Sequence, residues 1–303
     1  MLSFNSLGRK GNLGNQLFHI ASTVGIAKKY NQMFSFPEWE YSKYFEYEFP
    51  KLDKNKKLIQ IVEKGYEFQD WEIGNEDYDI NGALQSEKYF DVFETKKMFL
   101  FKPSFIEPLI SKFNFLFDKE HIIISVRRGD FVNHPHYYQL PYRYYFLAMT
   151  ENFPDWKERN LIFMSDDINY CKHHFDFLPN AIFLENLSAI EQLAIATKGK
   201  NFIISNSTFS WWAAWLGENE KSKVIRPIKN FRGSFAKSNN DKDYFPSRWI
   251  AFNYRNEKIP YKYLSLILKG ELGRFGDYFS YLLSSIQMTG FKIQKKISKI
   301  AKS

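Results

Sequence analysis

A single cysteine, Cys171, stands in 303 residues. One thiol excludes an intramolecular disulfide and any metal cage of several cysteines, and it fits a reducing compartment. Long apolar runs are missing too. The stretch MLSFNSLGRKGNLGNQLF has no apolar core of signal-peptide or membrane-spanning length, and the run Leu264–Leu268 is too short to cross a bilayer. The expectation is a cytoplasmic protein that touches a membrane without crossing it. Net charge is scarce in the body as well. The chain carries +8, but residues 251–303 hold ten Lys or Arg against three acids, leaving the first 250 residues near +1. A nucleic-acid enzyme would carry its basic patch on the folded body. A neutral body with a basic end points instead to an anionic membrane surface, and no nucleic-acid partner is expected. Within that end, Phe291–Ser303 sets Ile293, Ile297 and Ile300 at helical spacing among lysines. That is the pattern of an interfacial amphipathic helix, with a disordered solubilising end as the plain alternative.

Aromatics are abundant: 31 Phe, 19 Tyr and 7 Trp, enough for substantial cores and for a cleft that stacks on sugars. Through residue 120 the pattern is irregular, with Pro37, Pro50, Pro103 and Pro108 as breakers. Lys57–Val62 and Asp79–Leu84 read as short strands, and Pro103–Phe117 as partly helical. The glycine-rich Gly8–Gln16 precedes an amphipathic helix over Leu17–Tyr30; glycines there allow a backbone to approach a ligand, though a flexible turn explains them equally. From residue 121 the pattern becomes regular. Strands are predicted at Ile122–Val126, Leu161–Met164, Ala181–Leu184, Phe202–Ser205 and Val224–Arg226. Helices are predicted at Tyr142–Phe153, Asn169–Phe175, Ser188–Lys198 and Thr208–Leu216. Such alternation builds a doubly wound parallel α/β sheet.

Three strand ends carry chemistry. In FIISNSTFSWWAAWLG, Phe202–Gly217, a strand gives way to a hydroxyl-rich turn and a helix start, an arrangement that offers unpaired N–H donors to an anion. An ordinary N-cap uses the same residues. In IIISVRRGD, Ile122–Asp130, a buried strand ends in two arginines that point in opposite directions, so one can face a ligand while the other pairs with an internal carboxylate. The plain reading is a structural pair such as Arg128 with Asp130. A guanidinium beside a hydroxyl-rich helix start suits a diphosphate, which favours a nucleotide or sugar-nucleotide ligand. In LIFMSDD, Leu161–Asp167, paired carboxylates end a third strand. They could bind a metal, act as a base, accept from a guanine edge, or cap the next helix.

Together these segments resemble the α-1,2-fucosyltransferases of glycosyltransferase family 11. The resemblance rests on GNLGNQLF, VRRGD, SDDI followed by Cys171–Lys172, ISNSTFSWWAAWL and the closing DYFPSRWI, and it covers about residues 8 to 250 in the family's order. It implies a GT-B-like pair of Rossmann-type domains using GDP-fucose without a bound metal or other cofactor. The implied layout is an acceptor-side domain over residues 1–118, a GDP-fucose-binding domain over 119–250 and a basic helical tail over 251–303. By the resemblance, Arg127 holds the donor β-phosphate with Arg128 as its support. Asp166 or Asp167 reads guanine, Ser207, Thr208 and Ser210 meet phosphates, and Asn15 and Gln16 lie at the cleft between domains. Ser125 departs from the family pattern, standing where many relatives carry histidine.

The implied reaction moves L-fucose with inversion to the 2-hydroxyl of a galactose-terminated glycan, in surface polysaccharide or O-antigen synthesis. Asp130 is the first candidate for the base, with His134 and His136 behind it. Residues 31–100 are expected to shape the acceptor pocket. A metal-dependent enzyme would use a DxD triplet, and two exist, Asp77–Tyr78–Asp79 and Asp241–Lys242–Asp243. A fucosyl transfer of another linkage, or a non-catalytic sugar-binding module at a membrane, are the remaining alternatives.

Overall fold

In a computed structural model that describes residues 1–279, the chain opens with strand β1 (Leu2–Ser3), too short to leave a sequence pattern. Helix α1 follows over Leu13–Lys29, four residues ahead of the predicted start, so Gly14, Asn15 and Gln16 form its first turn. Nearly every side chain of α1 is buried, as expected of a helix enclosed on several sides. Two glycines permit that enclosure. A Cβ on Gly14 would stand 2.4 Å from the Phe209 nitrogen, and one on Gly25 would stand 2.0 Å from the Tyr89 carbonyl.

Strands β2 (Ile59–Val62) and β3 (Tyr78–Asn81) join β1 in a parallel sheet of order β1-β3-β2, with Leu2 beside Tyr78 and Val62 beside Asn81. The second predicted strand thus stops at Asn81. Beyond it Leu84 adopts a left-handed φ of 54°, which no strand accommodates. Helices α2 (Val92–Met98) and α3 (Pro103–Lys112) lead across. An Asp91 cap starts the former, and proline at the first turn starts the latter.

The second half runs β4 (His121–Val126), α4 (Tyr142–Asn152), β5 (Asn160–Ser165), α5 (Ile168–Phe175), β6 (Ala181–Phe183), α6 (Ala189–Ala196), β7 (Phe202–Ile204), α7 (Thr208–Gly217), β8 (Val224–Pro227), the short α8 (Phe235–Ser238) and β9 (Ile250–Phe252). All six strands are parallel, in the order β6-β5-β4-β7-β8-β9. Counted along the chain this is 3-2-1-4-5-6, the doubly wound dinucleotide-binding order, whose direction reverses between β4 and β7. The predicted parallel sheet is therefore present.

Period-two alternation divides the core. Ile123, Ile162, Met164, Phe202 and Ile204 point to one face, where they join α1, α6, α7 and the first sheet. Ile122, Ile124, Leu161, Phe163, Ile203 and Ile225 point to the other, against α4 and α5. The aromatic centre of the first cluster is Trp211, Trp212 and Trp215 of α7. Phe18 lies 4.6 Å from Trp211 and Phe90 stacks on Trp212 at 5.7 Å. Aromatic pairs of this kind add about 0.5–1.5 kcal/mol each beyond the area they bury. The first sheet and α1 are thus welded to one face of the second sheet.

The stretch beyond Ile250 begins as part of this body, not as a tail. Strand β9 pairs with β8. Residues 264–279, helix α9, follow, with Tyr263 and Ile267 completing the second core. Asp277 of α9 meets His173 at 3.0 Å, and Glu271 meets Arg143 at 2.9 Å. The amphipathic stretch Phe291–Ser303 lies outside the described residues. No helix among the described residues is long and apolar enough to cross a membrane.

Candidate active site

In open parallel sheets, ligands gather beyond the carboxyl ends of the strands. Here the carboxyl ends of both sheets face one hollow of about 1200 Å³. Arg127 enters it from the end of β4, Asp166 from β5 and Ser207 from the turn after β7. From the other side come Glu63 after β2, Gly82 after β3 and the first turn of α1.

Arg127 is the cation at the switch point, and two carboxylates hold it. Its Nε and Nη2 donate to Asp130 Oδ1 at 3.1 and 2.6 Å, and its Nη1 lies 3.0 Å from Asp166 Oδ2. Asp166 also accepts the Arg128 N–H on Oδ1 at 2.9 Å, so it ties the ends of β4 and β5 together. Gly129 leaves it room, since a Cβ there would stand 2.3 Å from Asp166 Oδ2. Burial pushes the Asp166 carboxyl above the usual range, although Arg127 pulls it down. The Arg–Asp pair is therefore formed by Arg127, not Arg128. Arg128 turns away and lies 4.0 Å over the Tyr170 ring, outside the lining of the hollow.

The hydroxyl segment divides into two roles. Ser207 caps α7 by accepting the Ser210 N–H at 3.1 Å. Ser210 Oγ sits 2.7 Å from Ser125 Oγ, 2.8 Å from Ser205 Oγ and 3.2 Å from Ser207 Oγ. The Ser210 hydroxyl is thus engaged in a buried knot of serines beneath the helix start, and Ser125 is part of the same knot. Thr208 faces the hollow beside α1. A Cβ on Gly14 would come within 2.8 Å of Thr208 Oγ1, so the starts of α1 and α7 meet at this point. These two helix amino ends line the same hollow as the Arg127 guanidinium, and both helix ends favour negative charge.

The other residues singled out in the sequence fall as follows. Asn15 lines the hollow, and its Oδ1 accepts from Gln85 at 3.1 Å. Gln16 braces the glycine loop: it donates to the Gly11 carbonyl at 2.8 Å and accepts from Trp39 Nε1 at 2.7 Å. Gly11 itself holds φ at 73°, where a side chain would collide with Asn15. Asp167 stays off the lining and caps α5 by accepting the Tyr170 N–H at 3.1 Å. His134 is also outside the lining; its ring lies 4.6 Å from Tyr137, which does line the hollow. Neither DxD triplet borders the hollow. Asp77 pairs with Lys56, Asp79 accepts from the Asn5 N–H, Asp241 from the Asn230 N–H, and Asp243 pairs with Lys88.

Sequence reasoning missed a chain of side chains that crosses the hollow. Gln85 links Asn15 to Tyr66, Asn230 donates to the Tyr66 hydroxyl at 3.0 Å, and Asn206 donates to the Asn230 carbonyl at 2.7 Å. This line connects the start of α1 to the turn before α7.

The model of glycosyl transferase family 11 matches residues 4–253. The chain belongs to that family. Among curated relatives, the O-antigen biosynthesis glycosyltransferase WbnK of Escherichia coli is 36% identical over 119 residues, covering 37% of this chain and 39% of that one. The alpha-1,2-colitosyltransferase of Escherichia coli is 26% identical over 194 residues, covering 56% and 64%. The galactoside 2-alpha-L-fucosyltransferase of Caenorhabditis elegans is 23% identical over 180 residues, covering 55% and 50%. The chain spans between 39% and 64% of the length of these relatives.

Proposed function

We propose that this family 11 protein transfers L-fucose from GDP-fucose to the 2-hydroxyl of a terminal galactoside, with inversion, in surface polysaccharide or O-antigen synthesis. The observation that carries this reading is the convergence of Arg127 with Ser207 and Thr208 on one hollow, at the switch point of a doubly wound sheet. The Nε–Nη2 edge of Arg127, now occupied by Asp130, is the fork a phosphate takes bidentately. Asp130 is the more exposed of the two acids, with 58% of its side chain accessible against 25% for Asp166, so it is the partner that yields to a diphosphate. Asp166 keeps the guanidinium aimed.

As the bond from the anomeric carbon to the diphosphate stretches, negative charge grows on the departing oxygen. Arg127 and the first-turn N–H groups of α7 stabilise that charge more than they stabilise the bound donor, and only this difference accelerates transfer. The acceptor enters from the side of the first sheet, where Tyr66, Glu63 and Gly82 form the wall. The decisive experiment incubates the protein with GDP-fucose, other GDP-linked deoxyhexoses and a panel of β-galactosides, with linkage analysis of the products and a parallel run in chelator. The α-1,2-fucosylated product, undiminished by chelator, is expected. No turnover with GDP-fucose, or another linkage, would defeat the reading.

The outward face of α9 supports contact with an anionic membrane. Leu264, Leu268, Leu272, Phe275 and Phe279 are exposed and share one helical stripe. Lys269 flanks it on one margin; on the other, Arg274 pairs with Glu271 at 2.6 Å, and Asp277 is occupied on the inner side. An exposed apolar stripe with a lysine at its margin suits an interfacial helix, and residues 280–303 add five lysines and no acid.

A further inference from the structure

Four carboxylates line the hollow: Glu40, Glu63, Asp130 and Asp166. An inverting displacement brings the attacking oxygen to the anomeric carbon from the face opposite the leaving group, so its base must stand across the hollow from the diphosphate. Asp130 and Asp166 both bind Arg127 and therefore stand on the diphosphate side. Glu40 is exposed at the rim. His19 also lines the hollow, but burial, reinforced by the Lys10 charge, lowers its pKa to about 3, which leaves a feeble base.

Glu63 remains. It follows the last residue of β2, beside β3, and so lines the hollow from the first sheet while Arg127 lines it from the second. Its Oε2 accepts the N–H groups of Ala83 and Leu84 at 2.7 and 3.1 Å, which fixes the carboxylate plane. Oε1 has a 3.4 Å contact with the Tyr89 hydroxyl, long for a hydrogen bond between oxygens. Gly82 makes space for the whole group, since a Cβ there would lie 2.5 Å from Glu63 Cβ.

We propose that Glu63 is the catalytic base of the transfer, and this assignment rests on the GDP-fucose reading above. Glu63 Oε1 takes the proton of the acceptor 2-hydroxyl while that oxygen bonds to the anomeric carbon. The bond from that carbon to the diphosphate breaks, and its electron pair leaves on the β-phosphate oxygen beside Arg127. GDP departs, and Glu63 returns its proton to water. Burial raises the Glu63 carboxyl above its ordinary range against the pull of the two N–H groups, and a base closer to the working pH is the more effective one.

Glu63→Gln tests this, because an amide keeps the size and an oxygen for the two N–H groups. Its kcat is expected to fall by roughly 10²–10⁴-fold, with unchanged GDP affinity by calorimetry and a melting temperature at or above wild type. Wild-type kcat should fall as pH drops through the raised Glu63 pKa, and Glu63→Gln should lose that limb. Wild-type turnover in Glu63→Gln would overturn the assignment while sparing the donor. A joint loss of GDP affinity and melting temperature would also overturn it, since Glu63 would then only brace the 82–84 turn. A wild-type protein that binds no GDP would remove the donor reading and the base with it.

Discussion

The Nη1 of Arg127 lies 3.0 Å from Asp166 Oδ2, and the same carboxylate holds the Arg128 N–H on its other oxygen. One side chain at the end of β5 therefore sets both the backbone and the guanidinium at the end of β4. Asp166→Asn keeps the N–H bond and releases the guanidinium. Because a misplaced group costs on the order of 100-fold in rate, turnover should fall by about that much. Stability should move the other way. The folded state raises the Asp166 pKa, so its charge is a cost above that pKa and the cost disappears as pH falls through it. The neutral amide should therefore melt at or above the wild-type temperature at neutral pH, and a thermal scan beside a turnover assay checks both signs.

Arg127 gives the sharper test of the donor site. Loss of one preorganised donor to a developing oxyanion costs about 2.7–4 kcal/mol, roughly 10²–10³ in kcat. Arg127→Ala and Arg127→Lys should both show this loss in GDP-fucose turnover, because lysine cannot reproduce the Nε–Nη2 fork now seen on Asp130. Near-normal turnover in Arg127→Lys would remove the phosphate role.

The second sheet was legible because a parallel strand buried on both faces spells a continuous apolar run, as Ile122–Val126 and Leu161–Met164 do. The first sheet was legible only in part: β2 and β3 coincide with the expected strands Lys57–Val62 and Asp79–Leu84, but their parallel pairing with β1 left no signal. Strand β1 has two residues, and β2 is mostly exposed and carries no alternation. Glu63, Tyr66 and Gln85 lie beyond the ends of β2 and β3 with no motif to mark them, and only tertiary structure brings them to the hollow. Within the legible half, the sequence could not separate neighbours. Asp166 and Asp167 differ by one position, yet one faces Arg127 and the other caps α5. Ser210 and Thr208 differ by two, and the side of α7 that meets the sheet decides which hydroxyl is buried. The Arg127–Arg128 divergence was correctly expected from alternation, although the ion pair formed on the other arginine.

Gly14 tests the meeting of the two helix starts. An alanine methyl would fall 2.4 Å from the Phe209 nitrogen and 2.5 Å from the Thr208 carbonyl carbon, both backbone atoms that cannot step aside. Overpacking of this kind costs typically about 1–3 kcal/mol. Gly14→Ala should lower the melting temperature and weaken GDP binding together. A calorimetric GDP affinity equal to wild type would show that the start of α1 does not contribute to the nucleotide site.

The face of α9 makes a prediction independent of catalysis. Exposed Leu268, Leu272, Phe275 and Phe279 would each leave water on insertion, at about 25 cal/mol per Å² of apolar surface removed, while the lysines supply a salt-sensitive attraction. Sedimentation with vesicles rich in phosphatidylglycerol should carry the protein down, and pure phosphatidylcholine should not. Raising salt should weaken binding without abolishing it, because the screened part is only the electrostatic one. The double variant Leu272→Glu, Phe275→Glu should stay in the supernatant while its turnover on a soluble acceptor is unchanged, since neither residue borders the hollow. Removal of residues 280–303 should reduce binding and leave the α9 contribution. If the double variant sediments like wild type, or if wild type is a dimer by light scattering that the variant makes monomeric, the stripe meets something other than lipid.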